Sequence, residues 1–332
     1  MSLLSKPDYL SLPIPKLPPT RFASAGYYTS AYFVIESKIP LPADDGFIYE
    51  DVEKFDPENE PDYFLEFGYP EPEPPKKKED IEQKTIILCH GLATSGLQFV
   101  EDAHFFANHG FRVIVPDLRG HGRSIIPKKN LMKKEDFTIK QMANDLIAIL
   151  DKEQVKQVHW VGHSLGGILA LSIMEERKDL IKDLVVFGTS FSFEKLSSLV
   201  NLVQVGSKFL SRNNQSQFLA GLLSKKPKTR ALAYQMFKEA RRDVIFPIAR
   251  NLSNLDIVDN ALSFDSAILM LHGEWDIFTK KAQRITLLEM IGNTKFFYKT
   301  IKDAGHLTNL DQPQIVREAI LDFVGGGWVF FD

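Results

Sequence analysis

The stretch that most constrains this chain is Gly162-His163-Ser164-Leu165-Gly166-Gly167. An apolar run, Val158 to Val161, leads into it and a helix-patterned run, Ile168 to Arg177, leads out. That is a G-x-S-x-G pattern set between a strand and a helix. A serine presented at the tip of so tight a turn leaves no room for side chains two positions to either side. Gly162 and Gly166 supply that room, and Gly167 permits close packing of the helix on the sheet. The start of the helix directs backbone N–H groups and its positive dipole end toward whatever reacts at the serine. The pattern alone also arises by chance, so the rest of the chain must agree with it.

From Thr85 onward strands and helices alternate. Strands are expected at Thr85–Cys89, Arg112–Pro116, Val155–Val161, Leu184–Gly188, Ala267–Leu271 and Lys295–Ile301. Helices are expected at Leu97–Asn108, Thr138–Lys152, Ser164–Arg177, Lys280–Ile291 and Pro313–Val324. Such alternation predicts a mostly parallel, doubly wound sheet covered on both faces, with reacting groups at the carboxyl ends of the strands. A mostly helical segment from Ser190 to about Asp265 interrupts the rhythm. Before Thr85, residues 1 to about 26 are rich in proline and read as an extended arm. Tyr27–Ile35, Phe47–Phe55 and Tyr63–Phe67 read as further strands, and residues 69–78 as a proline-rich loop.

Composition narrows the class. With 332 residues, 44% of them hydrophobic, the chain can build one large α/β domain with an insertion. A net charge of −3 gives no overall reason to expect nucleic-acid binding. The single cysteine, Cys89, rules out an intrachain disulfide, and no run of apolar residues suits a signal peptide or a membrane span. A cytoplasmic enzyme or binding protein is the expectation.

The chemistry-bearing residues fall at strand ends. His90-Gly91-Leu92-Ala93-Thr94 follows the first buried strand and is placed to offer the Leu92 N–H, with that of Leu165, as an oxyanion hole. His90 itself is read as a turn residue. Asp117-Leu118-Arg119-Gly120-His121-Gly122-Arg123-Ser124 reads as a turn braced by polar side chains, His121 among them. A general base belongs after the last strand. His104, His109 and His159 lie in helix or strand patterns, His163 must point away from Ser164, and His272 ends a strand, which leaves His306. Of the carboxylates ahead of it, Asp276 is better placed than Glu274 or Asp303.

The order Ser164, Asp276, His306, together with His90-Gly91, the Asp117–Ser124 motif, the elbow, Gly273-x-x-Asp276 and Gly305-His306, resembles the α/β-hydrolase superfamily. The resemblance covers residues 45–325. It implies an α/β-hydrolase fold with a helical cap inserted after strand 6: core at 45–189 and 251–325, cap at 190–250, an N-terminal arm at 1–44 and a tail at 326–332. It further implies a serine hydrolase using the triad Ser164, His306 and Asp276, without cofactor or metal, on a small molecule bearing an acyl group, most simply a carboxylic ester. A carbon–carbon bond hydrolase, a thioesterase and an acyltransferase use the same triad, and a ligand receptor on this fold is the non-enzymatic alternative. Serine at the elbow disfavours chemistries that need aspartate there.

Charge is unevenly distributed. Residues 190–250 hold eleven basic against three acidic residues, a net of +8, and residues 44–82 hold four basic against fifteen acidic, a net of −11. Both can be solvated faces. Alternatively, a basic cap draws anionic substrates or a membrane surface toward the entrance, or the acidic segment covers it.

Overall fold

The computed structural model describes residues 8–25, 28–37, 84–127, 132–192, 211–252 and 255–325. Its centre is an eight-stranded sheet in the order β1-β2-β4-β3-β5-β6-β7-β8. The strands are β1 (Arg21–Ala25), β2 (Tyr28–Ile35), β3 (Thr85–Cys89), β4 (Arg112–Pro116), β5 (Val158–His163), β6 (Ile181–Phe187), β7 (Ile268–Gly273) and β8 (Phe296–Ile301). All pairings from β4 to β8 are parallel, whereas β1–β2 and β2–β4 are antiparallel.

The central strands are apolar without alternation because both of their faces are covered. Successive residues of β3 separate cleanly: Ile86 and Leu88 enter one core, Ile87 and Cys89 the other. On the first face lie α1 (Val100–Asn108) and α10 (Pro313–Val324), through Phe106, Ala103, Val316 and Ile320. On the second lie α2 (Ile139–Lys152), α3 (Leu165–Glu176) and α7 (Val258–Leu262), through Leu146, Ile149, Ile168 and Ala261. Helix α8 (Lys280–Glu289) follows β7, and a single turn, α9 (Thr308–Asp311), precedes α10.

Within residues 1–44 the strand read at Tyr27–Ile35 is present as β2, and Arg21–Ala25, read as part of the proline-rich arm, adds β1 beside it. Arg21–Ala25 and Tyr28–Ile35 pair with each other and then with β4, so they extend the main sheet. The cause is apolar burial on both sides of β2, where Ala31, Tyr32 and Phe33 are fully buried. Polar ties secure the edge: Tyr32 Oη donates to Glu153 Oε1 at 2.6 Å, and Arg21 pairs with the same carboxylate at 2.8 Å. The strands expected at Phe47–Phe55 and Tyr63–Phe67, the proline-rich loop and the tail at 326–332 lie outside the described residues.

Between β6 and β7 the chain forms α4 (Arg212–Leu223), α5 (Pro227–Glu239) and α6 (Arg242–Leu252). Ser211 caps α4 by accepting from the Asn214 N–H, and Pro227 opens α5 at a position where its missing N–H costs nothing. Helix α5 joins two cores: Leu232 and Met236 enter the first-face core, while Ala233 and Tyr234 pack with Ala220, Leu223 and Leu307. Part of the expected cap, 193–210, lies outside the described residues. Among the described residues no helix is long and apolar enough to cross a membrane.

Candidate active site

Ser164 sits between β5 and α3 with φ +50° and ψ −116°, a left-handed conformation that a side chain rarely adopts. Holding it costs about 1–3 kcal/mol, which the surroundings must over-determine. They do so from three sides. The Ser164 N–H donates to the Phe187 carbonyl at 2.9 Å, and its own carbonyl accepts from Gly167 N at 3.0 Å. The buried Trp160 indole donates to the Gly166 carbonyl at 2.9 Å. A Cβ at Gly162 would stand 2.4 Å from Gly167 N, and one at Gly166 would stand 2.2 Å from the Cys89 carbonyl oxygen. Backbone fills both places, so the steric reading of the motif holds.

His306 follows β8 and Asp276 follows β7, each on the loop expected for it. Asp276 Oδ2 lies 3.0 Å from His306 Nδ1. Asp276 is buried and its Oδ1 accepts from the Phe278 and Thr279 N–H groups, while the Thr279 hydroxyl donates to Oδ2. Burial alone would raise its pKa, but the facing His306 and these donors outweigh it and hold the carboxyl well below the usual carboxylate range. An ionised Asp276 accepts the Nδ1 proton, which leaves Nε2 as the basic nitrogen. Glu274 and Asp303 are exposed, and Glu274 is occupied with the Asp303 N–H at 3.2 Å.

The ring of His163 fills the space between these loops. It is buried, stacks on Phe187, and stands edge-on to His306 with ring centroids 4.9 Å apart. Gly91 approaches so near that a Cβ there would be 2.7 Å from His163 Nδ1 and 3.0 Å from Ser164 Cβ. Ser164, the ring of His163 and the His90-Gly91-Leu92 loop therefore meet, and His163 in turn touches His306.

Three donors hold the Gly91 carbonyl inside its own loop: His90 Nδ1 at 2.7 Å, Thr94 Oγ1 at 2.9 Å and Thr94 N at 3.4 Å. Because the peptide is planar and trans, fixing that carbonyl aims the Leu92 N–H the opposite way. Leu165 is the first residue of α3, where an N–H has no intrahelical acceptor.

His90 and His121 brace this loop and are not placed to carry protons. His90 Nε2 accepts from Leu118 N at 2.9 Å, and His121 Nε2 accepts from Ala93 N at 3.0 Å. Burial lowers the first to about 4 and the second to about 3, so both rings are neutral. The motif carrying His121 is anchored at both ends. Asp117 accepts from Gly96 N and Arg123 N, and buried Arg119 makes two 2.7 Å hydrogen bonds to Asp145.

A pH dependence follows. Unfolded histidine takes a proton near 6.5, whereas these two rings in the fold do not until about 4 and 3. Protonation thus favours the unfolded chain as the pH falls from 6.5 toward 4, and stability drops across that window by roughly 1–3 kcal/mol per ring. Thermal unfolding should show a Tm that is level above pH 7 and falls below 6.5. His121→Gln should lower Tm at pH 7 and flatten the slope; a slope equal to wild type would contradict the neutral assignment.

Two groups near the site carried no signal in the sequence. Asp311 is buried beneath the histidine loop and accepts from Gly305 N at 2.7 Å. A buried polar chain also links Gln98, Asn309, Asp102 and Arg317 beneath α1 and α10. The partners in that chain come from distant parts of the sequence, so no local motif announces them.

Comparison with known proteins agrees with this fold. The family model described as alpha/beta hydrolase fold matches residues 84–235. Protein ABHD8 of Mus musculus is 25% identical over 252 residues, covering 72% of this chain and 54% of that protein. An epoxide hydrolase of Caballeronia sordidicola is 32% identical over 108 residues, covering 32% of this chain and 31% of its own length. The chain thus spans between about a third and about half the length of these curated relatives. Among solved structures, an esterase from Exiguobacterium antarcticum superposes with a TM-score of 0.69 at 15% identity, covering 91% of this chain and 98% of the other. The enol-lactonase from Burkholderia xenovorans LB400 does so with a TM-score of 0.68 at 16% identity, over 92% and 99%. At such identities these structures speak for the fold alone. Sheet order, elbow and family match together show that this chain has the α/β-hydrolase fold, with residues 84–235 similar to that family.

Proposed function

We propose that this protein is a serine hydrolase that cleaves carboxylic esters through an acyl-enzyme on Ser164. The observation that carries the reading is the buried, ionised Asp276 hydrogen-bonded to His306 Nδ1 beside a serine elbow at positive φ. In the reaction, Ser164 Oγ attacks the carbonyl carbon and His306 Nε2 takes its proton. Asp276 holds the imidazole tautomer and stabilises the imidazolium. The Leu92 and Leu165 N–H groups receive the developing oxyanion, a contribution worth about 3–4 kcal/mol per donor in measured systems. His306 then protonates the leaving group, the alcohol departs, and water repeats the sequence to release the acid.

Serine at position 164 argues against epoxide opening, which in this fold resembles chemistry run from an elbow aspartate. The basic character of 190–250 is partly engaged within the fold. Lys228 pairs with Glu101 at 3.0 Å, Arg241 with Asp243, and Arg230 Nε donates to the Ser224 carbonyl at 2.7 Å. A steering role for this segment therefore receives less support than catalysis does.

The test is a panel of p-nitrophenyl esters of rising acyl length, matched thioesters and a β-diketone, run on the purified chain. Ester turnover that saturates and exceeds thioester and diketone turnover supports the reading. Faster diketone or thioester cleavage moves the activity to those bonds, and no turnover with any of them favours a receptor on this fold.

A further inference from the structure

The strongest unexplained feature is how the helical segment touches the histidine loop. The turn between α4 and α5, residues 224–226, and the last residue of α4, Leu223, lie directly against Gly305 and His306. The His306 backbone N–H donates to the Leu223 carbonyl at 2.9 Å. The approach is so close that a Cβ on Gly305 would stand 2.3 Å from the same oxygen. Only glycine lets the two backbones meet there.

Asp311 joins the two sides. Asp311 is 2% exposed. One oxygen accepts from the Gly305 N–H at 2.7 Å, and the other accepts from the buried Ser224 hydroxyl at 2.5 Å. Lys226 Nζ donates to the Asp311 carbonyl, and Lys226 N donates to Ser224 Oγ at 2.9 Å. Next to the triad acid, the Lys225 ammonium lies 3.9 Å from the Trp275 ring centroid. The turn thus grips the residues adjoining both His306 and Asp276.

We propose that the α4–α5 turn is the fixed seat of the general base, with Ser224 and Asp311 as positioning residues for His306. This rests on the reading of His306 as that base. A turn free to swing would break the His306–Leu223 bond and leave a buried carboxylate without its hydroxyl donor, a state that buried charges strongly disfavour. This part of the helical segment therefore does not open as a lid. It stays with the core and sets where the imidazole stands.

The experiment compares Ser224→Ala, Asp311→Asn and the hydroxyl-preserving Ser224→Thr with wild type. Active-site titration with a fluorophosphonate normalises each rate to competent sites. In Ser224→Ala and Asp311→Asn, kcat per site should fall roughly ten- to a hundredfold with KM little changed, the size expected when a catalytic group is displaced by about an ångström. Ser224→Thr should restore most of it. An unchanged kcat per site in both variants, with only Tm lowered, would overturn the proposal, as would a loss that Ser224→Thr does not restore.

A second reading needs no substrate. The His306 Nδ1 proton, held by Asp276, should give a low-field NMR signal that disappears in His306→Gln. It should stay sharp in wild type and Ser224→Thr, and broaden through faster water exchange in Ser224→Ala and Asp311→Asn. A signal equally sharp in all four refutes the seat. If wild type hydrolyses nothing while the signal behaves as stated, the proposed function fails and the positioning stands.

Discussion

Ser164→Ala is expected to abolish covalent labelling by a fluorophosphonate and to reduce ester turnover by about six orders of magnitude, the scale seen when a triad nucleophile is removed. Wild type should be labelled once, and mass spectrometry of the peptide spanning the elbow should find the adduct on Ser164. The fold should survive, because the elbow is held by contacts that alanine keeps. The Ser164 N–H still reaches the Phe187 carbonyl, and Trp160 still holds Gly166. Alanine retains the positive-φ strain without the hydroxyl, so Tm should change little. Labelling that persists in Ser164→Ala would place the nucleophile elsewhere and end the proposed mechanism.

The second large effect is at the acid. Asp276→Asn should lower kcat by about four orders of magnitude while leaving KM nearly unchanged. The asparagine amide is uncharged, and its NH2 group competes to donate to Nδ1, which drives the ring to the tautomer whose Nε2 carries the proton. The remaining partners of Asp276, the Phe278 and Thr279 N–H groups, keep an acceptor in Asn Oδ1. The loss is therefore electronic more than structural. Glu274→Gln and Asp303→Asn should be mild, since both carboxylates are exposed and neither faces the imidazole. If Asp303→Asn is the crippling change, the choice of acid is wrong.

Much of this was legible in the residues themselves, and the reasons are local. The elbow is a steric statement: at Gly162 and Gly166 the neighbouring backbone leaves no space for a Cβ, so the sequence must show glycine there. The parallel sheet is a burial statement. Strands covered on both faces read as unbroken apolar runs, and β3, β4, β6 and β7 were visible as such. The places of Asp276 and His306 followed from which loops lie at the carboxyl edge of that sheet.

Tertiary structure decided what depends on distant parts of the chain meeting. Asp276, Glu274 and Asp303 are all carboxylates after strands, and only the packing shows that the first is buried against the imidazole. Tyr27–Ile35 reads as a strand from its residues, but only the structure shows that Arg21–Ala25, read as part of an extended arm, pairs with it as the edge strand β1. Strand pairing is made by backbone groups that every residue carries, so the sequence holds no mark of where it stops. The same holds for the bond from His306 N to Leu223 O: neither residue type announces it. Glycine at 305 is its one trace in the sequence, and that trace becomes meaningful once the turn from α4 to α5 is seen lying against it.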